Sequence, residues 1–255
     1  MTVENRSWWA KGIIQHCAWN ATISCPLIEA KKGRTMAPLE KRLAIIRDWC
    51  KSFAVVADVG AGQGRLARAL AVQGQQVYAT EKTLKGWQEL TSYTRSFFPR
   101  ITPVLGDGIV PLLALPTSID VAVIAGMGPR TIQHILRQDY ESRAIPYFIV
   151  QPMQGLFLLR RYLLENNWFI QRAELVKEHG KIYGMWLVQR AAHNDRDDRS
   201  PFFWVPKEFQ HSPLFQSLVK ARVIQLNQYI DHASLDTPQL EAWQREKQYL
   251  TGVIS

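Results

Sequence analysis

Residues 55–66 read VVADVGAGQGRL: a short apolar run, one acidic residue, and three glycines at alternate positions ahead of an amphipathic stretch. The run from Val55 to Val59, broken only by Asp58, fits a strand buried on both faces of a parallel sheet. Gly60, Gly62 and Gly64 let the backbone turn tightly where a Cβ would block a ligand. Beyond them Leu66, Ala69, Leu70 and Val72 recur at roughly helical spacing, which predicts a helix from Arg65. Strand, glycine turn and helix N-terminus, in that order, form the nucleotide cradle of doubly wound α/β folds.

Spacing narrows the ligand class. In the dinucleotide fingerprint G-x-G-x-x-G the third glycine falls where this chain has Arg65, and the pattern here is G-x-G-x-G. A second predicted strand, Gln76 to Thr80, ends at Glu81. A carboxylate there accepts hydrogen bonds from ribose hydroxyls in either a dinucleotide or S-adenosylmethionine. A third, Ile101 to Leu105, runs directly into Gly106, Asp107 and Gly108. An acidic group at that strand end suits an adenine amino group. Taken in order, these strand ends predict nucleotide or S-adenosylmethionine binding, with Asp58 organising the loop, the glycines Gly60, Gly62, Gly64 and Gly108 admitting the ligand, Glu81 on the ribose and Asp107 on the adenine.

The alternation continues along the chain. Leu39, Leu43, Ile46 and Trp49 share one helical face and predict a helix leading into the sheet. Helices are predicted around Leu84 to Phe97 and Val110 to Leu115. Ile119 to Ala125 is an apolar strand that ends in Gly126, Met127, Gly128, Pro129 and Arg130. A helix over Thr131 to Arg137 and a strand from Tyr147 to Val150, ending at Gln151 and Pro152, come next. After an amphipathic stretch from Leu156 to Asn166, Trp168 to Lys177 and Lys181 to Gln189 form a hairpin about Glu178, His179 and Gly180. The fold class is therefore α/β: five parallel strands with helices on both faces and a reversed pair at one edge.

Past a polar, charged stretch from Ala191 to Ser200, Leu214 to Ile230 and Leu240 to Leu250 predict an αα-hairpin. Residues 1–36 lack clear periodicity, scatter Trp8, Trp9 and Trp19, and end in a basic run with Lys31, Lys32 and Arg34. They read as an extension, disordered or an aromatic arm, with Met36 as an alternative start. The expected organisation is 1–36 extension, 37–190 cofactor-binding domain and 191–255 helical appendage.

A formal net charge of +9 over 255 residues favours a polyanionic partner through counterion release, and nucleic acid is the natural one. No run of 18 uncharged apolar residues suggests a membrane span, and the first residues lack a secretory pattern, so a cytoplasmic protein is expected. Cys17, Cys25 and Cys50 are odd in number and without C-x-x-C spacing, which favours reduced, packed thiols over a disulfide or zinc site.

The chain resembles the bacterial tRNA (adenine-22 N1) methyltransferases of the TrmK type from about Leu39 to Val188. The resemblance is carried by PLEKRLAIIRDW at 38–49, VADVG at 56–60, GDGI at 106–109, IDVAVIAGMG at 119–128, IVQP at 149–152, LRRYLLENNWFI at 159–170 and EHGKIYG at 178–184. It implies a class I, Rossmann-like methyltransferase domain, S-adenosylmethionine as donor, and a C-terminal helical appendage that helps hold tRNA. It also implies that Gly126 to Arg130 lie beside the transferred methyl, so that Gly126 borders the cofactor, Met127 packs on a base, Arg130 contacts phosphate and Gln151 hydrogen-bonds the target edge. These last three are the candidate catalytic residues, with His179 and Tyr183 behind them, while Asp120 falls at the opposite end of its strand.

The chain departs from the family where Ala61, Gly62 and Gln63 replace Ser-Asp-His, where Pro129 replaces a glycine, and where Met153 replaces an asparagine. Two other readings remain open: a cofactor- and RNA-binding protein that has lost catalysis, and an NAD-dependent oxidoreductase, which the glycine spacing disfavours.

Overall fold

The computed structural model describes residues 38–139, 144–190, 205–233 and 238–254. The expectations for residues 1–36, including Met36, and for the stretch Ala191 to Ser200 lie outside the described residues. The described residues from Leu39 onward belong to one compact unit.

Helix α1 (Lys41–Trp49) leads into strand β1 (Val55–Val59), followed by α2 (Arg65–Gln73), β2 (Gln76–Glu81), α3 (Leu84–Thr94) and β3 (Ile101–Leu105). The second half runs β4 (Val121–Met127), α4 (Pro129–Gln138), β5 (Tyr147–Pro152), α5 (Leu156–Glu165), β6 (Trp168–Glu178) and β7 (Lys181–Arg190). Two helices, α6 (Phe215–Asp231) and α7 (Pro238–Ile254), close the chain. One seven-stranded sheet has the order β3-β2-β1-β4-β5-β7-β6. Strands β1 to β5 pair in parallel, and β7 is antiparallel to both β5 and β6.

The insertion of β7 between β5 and β6 corrects one expectation. The hairpin does not add two reversed strands: β7 alone opposes the first five, and β6 at the edge runs with them. The cause is topological, because α5 carries the chain to the outer position before the tight turn brings β7 back against β5.

Alternate residues of the central strands feed two cores. Val56, Val77, Val121 and Val123 pack with α1, α2 and α3 through Ile46, Leu70 and Leu90. Ala57, Val59, Ala122 and Ile124 face the other way, against Ile132 and Leu136 of α4 and Leu159 and Leu163 of α5. Burial on both sides explains why these strands are apolar throughout rather than alternating. Val72, expected on the buried face of α2, is 69% exposed instead. The segment expected as a helix from Val110 to Leu115 forms a single 3-10 turn over Val110–Leu112. Strand β4 runs on through Gly126 to Met127, and Pro129 then opens α4, where its missing N–H costs no hydrogen bond.

The C-terminal helices meet the rest of the unit through an apolar contact, with one polar cluster ahead of them and another between them. Leu218, Val219, Leu226 and Leu250 join the core beneath α5. Arg160 of α5 donates to both Glu208 oxygens at 2.8 and 2.9 Å, and the Trp186 indole donates to the same carboxylate at 2.7 Å. Arg222 and Glu246 pair in bidentate fashion between α6 and α7 at 2.8 and 3.0 Å. Among the described residues no helix is long and apolar enough to cross a membrane. Cys50 is fully buried.

Candidate functional site

In an open parallel sheet, ligands lie beyond the carboxyl ends of the strands where the order reverses, which here is between β1 and β4. The loop after β1 is built accordingly. Gly60 and Ala61 donate their N–H groups to the Thr80 carbonyl at 2.9 and 3.0 Å, and Gly64 donates to the Ala61 carbonyl at 2.8 Å. Gly62 has φ +54° and open space where a Cβ would stand, so ligand approach is unobstructed there. Gly64 has a different reason: at φ +67°, a Cβ would sit 2.7 Å from Thr94 and 2.9 Å from Leu90.

Asp58 is buried below this loop and accepts the Ala67 N–H at 3.1 Å. Gly64, at the N-cap of α2, has no side chain to serve the first turn. Asp58 does so from the neighbouring strand. Burial pushes its carboxyl up to about 7, opposed by the Ala67 hydrogen bond and reinforced by the nearby Glu81 charge.

Glu81 and Asp107 stand at the ends of adjacent strands, tied through their backbones by Gly106 N–H donating to the Glu81 carbonyl at 3.0 Å. The Glu81 carboxylate turns toward the glycine loop and accepts the Gly62 N–H at 3.1 Å and the Lys82 N–H at 3.2 Å. Asp107 is 44% exposed at the cleft mouth and receives Lys82 Nζ at 2.8 Å. Gly108 packs against the Gln138 amide of α4, whose oxygen accepts the Ile109 N–H at 2.9 Å. Glu81, Asp107 and the glycine loop thus share one edge of the sheet, whereas Gly108 is buried against Gln138 rather than open to a ligand, which corrects its expected role.

The far side departs from expectation in two side chains. Gln151 is fully buried, its oxygen accepting the Gly126 N–H and Arg42 Nη1, each at 3.1 Å, while its amide nitrogen donates to the Pro152 carbonyl at 2.7 Å. It has no face free for a target base, so its expected role in direct contact is corrected to an internal one. Met127 lays its terminal methyl over Gly60, on the β1 side of the cleft, rather than standing as an open platform. Gly126 and Arg130 are exposed at the same edge. His179 lies exposed in the β6–β7 turn with φ +48°, and Tyr183 is buried. Asp120, at the opposite edge, accepts the Ala54 and Val55 N–H groups at 2.8 Å each.

Sequence reading missed three residues. A cavity of about 240 Å³ opens off the glycine loop and is lined by Glu40, Arg42, Asp58, Gly60, Arg65 and Gly126 among others. Charges of both signs line its walls, which suits a zwitterionic group. Glu40 stands at the N-cap of α1 and Arg42 in its first turn; their only signal was the charged run Glu40-Lys41-Arg42 ahead of an apolar helical face. A larger groove of about 1020 Å³ starts at Pro152 to Gly155 and runs between α5 and the C-terminal helices, past Tyr229 and Trp243.

Known proteins resemble this chain in sequence and in fold. The chain is 32% identical over 141 residues to a Mycoplasma pneumoniae protein named "Putative tRNA methyltransferase", covering 52% of this chain and 62% of that protein. A Mycoplasma genitalium protein of the same description is 26% identical over 155 residues, covering 60% and 70%. Among solved structures, the Bacillus subtilis m1A22 tRNA methyltransferase TrmK superposes with a TM-score of 0.72 at 22% identity, covering 86% of this chain and 99% of that one. Mycoplasma capricolum TrmK with S-adenosylhomocysteine gives 0.73 at 19% identity, covering 87% and 100%. These structures share the fold. Residues 39–186, from α1 into β7 and so including every strand end that frames the cleft, match the methyltransferase domain family, and the chain belongs to that family.

Proposed function

We propose that this protein is an S-adenosylmethionine-dependent tRNA methyltransferase acting at adenine N1. One observation carries the reading: Glu81 and Asp107 stand at adjacent strand ends beside a glycine loop whose cavity is charged with both signs. The residues fit the donor. Arg42 and Arg65 suit its carboxylate, Glu40 its ammonium, the Gly60–Gly64 backbone its methionine chain, Glu81 its ribose hydroxyls and Asp107 its adenine amino group. S-adenosylmethionine supplies a methyl on a sulfonium, and in the transfer the bond from carbon to N1 forms as the bond from carbon to sulfur breaks with its electrons left on sulfur.

The chain's own task is chiefly to orient. Holding donor and acceptor in near-attack geometry contributes about 7 to 11 kcal/mol. Adenine N1 presents a free lone pair at neutral pH, so the absence of a carboxylate at Gly62 does not remove a required base. Arg130, exposed at the start of α4, suits a phosphate. The net charge of +9 and the names of the Mycoplasma relatives support tRNA as substrate. A cytoplasmic location goes with that substrate.

The test is to incubate purified full-length protein with methyl-labelled donor and unmodified tRNA and to map the product by mass spectrometry. N1-methyladenosine at a single position is expected. Tight tRNA binding with no transfer would instead indicate a cofactor- and RNA-binding protein without catalysis.

A further inference from the structure

Strand β4 departs from regular pairing at its last turn. Ala125 pairs with Gln151 and Met127 with Pro152, and Gly126 between them, at φ +78°, is the extra residue of a β-bulge. A bulge leaves its extra residue outside the ladder. The partner of the Gly126 N–H is a side chain, the Gln151 oxygen at 3.1 Å.

Gln151 has no freedom of its own. Its oxygen accepts from both Gly126 and Arg42, and its nitrogen donates to Pro152. Turning the amide over would set its NH2 against two donors, so the Arg42 cation dictates which way the amide points. Arg42 is in turn held from two sides, by Glu40 Oε2 at 2.9 Å and by Glu178 Oε2 at 3.5 Å. The other Glu178 oxygen accepts the Lys41 N–H at the start of α1, and the other Glu40 oxygen accepts Arg65 Nη1 at 2.7 Å. A single guanidinium thereby joins α1, the β6–β7 hairpin and the end of β5.

We propose that Arg42 is a positioning residue for the methyl-acceptor loop, acting through Gln151 on the Gly126 N–H; this rests on the reading of the cleft as a methyl-transfer site. The bulge at Gly126 sets the exit of β4, where the Met127 side chain lies on Gly60 of the donor loop and the Met127 carbonyl accepts the Met153 N–H at 2.9 Å. The network therefore fixes the spacing between the two loops that must bring donor and acceptor together.

The test combines amide exchange at Gly126, followed by NMR, with methyl-transfer kinetics for wild type, Gln151→Met, Arg42→Met, Arg42→Lys and the double Met variant. Gln151→Met carries the kinetics, because Gln151 does not line the donor cavity. Gly126 exchange is expected to accelerate about tenfold or more in both single Met variants. For Gln151→Met, kcat falls about tenfold or more while KM for tRNA and affinity for S-adenosylhomocysteine stay within about threefold. Residues acting in series give a double variant no worse than the poorer single. Arg42→Lys, with one charged head for three partners, falls between wild type and Arg42→Met. Unchanged Gly126 exchange in Gln151→Met or Arg42→Met, or kcat losses that multiply in the double variant, would overturn the proposal. A wild type that methylates no tRNA removes the functional reading, whereas Gly126 exchange decides the coupling by itself.

Discussion

At the ends of β1 and β2 the cleft is made mostly of backbone, whereas at the ends of β4 and β5 it is held by side chains from distant parts of the chain. Gly60, Ala61 and Gly64 on the donor side bond to carbonyls of Thr80 and Ala61, and the nearest side-chain partner, Glu81, comes from the next strand. On the acceptor side, the Gly126 bulge depends on Gln151, which depends on an arginine 109 residues away. Backbone geometry dictated by glycine tolerates little change, and a side-chain network can be altered one member at a time.

The first way to break this contrast is Gly64→Ala. A left-handed alanine costs about 1–2 kcal/mol and overpacking against Thr94 and Leu90 a further 1–3 kcal/mol, so urea unfolding should report a loss of about 2–5 kcal/mol. A loss below about 1 kcal/mol would mean that the loop is less constrained than its geometry indicates.

Asp58→Asn sharpens the contrast by way of pH. With its carboxyl at about 7 in the fold against an ordinary value of 3.8, the native state binds more protons than the unfolded chain between those limits. Stability from this group is therefore lost as pH rises from about 4 to about 7, by at most about 4 kcal/mol at 1.36 kcal/mol per unit. Urea titrations across that range should show the decline in wild type and a flatter profile in Asp58→Asn, which keeps an oxygen for the Ala67 N–H.

The smallest effect concerns Lys82, which occupies Asp107 from the solvent side. Lys82→Met frees that carboxylate for a ligand. Because Lys82 is exposed and Asp107 partly so, S-adenosylhomocysteine affinity should improve only about two- to threefold, measured by calorimetry at low salt and vanishing at high salt.

Much of the donor side was legible because it depends on local sequence. The glycine run at 60–64, Glu81 at the end of one strand and Asp107 at the end of the next follow directly from period and punctuation. The acceptor side was only partly legible. Gly126 to Arg130 were located by position, but the internal role of Gln151 and the participation of Arg42 arise from tertiary contacts, one of them spanning 109 residues, for which periodicity carries no signal. The reversal of β7 alone escaped for a similar reason: a tight turn at His179 and Gly180 specifies a hairpin but not which strand meets the sheet. Val72 shows the limit within one helix, where an apolar residue fits the spacing and still faces solvent.

The most direct measurement is calorimetric titration of S-adenosylhomocysteine into wild type, Glu81→Ala, Asp107→Ala and Asp120→Ala. If the donor lies along β1 to β3 as proposed, the first two substitutions each weaken binding about tenfold or more, and Asp120→Ala, at the opposite edge, leaves it unchanged. Wild-type affinity in Glu81→Ala and Asp107→Ala, or no binding by the wild type, would contradict the account.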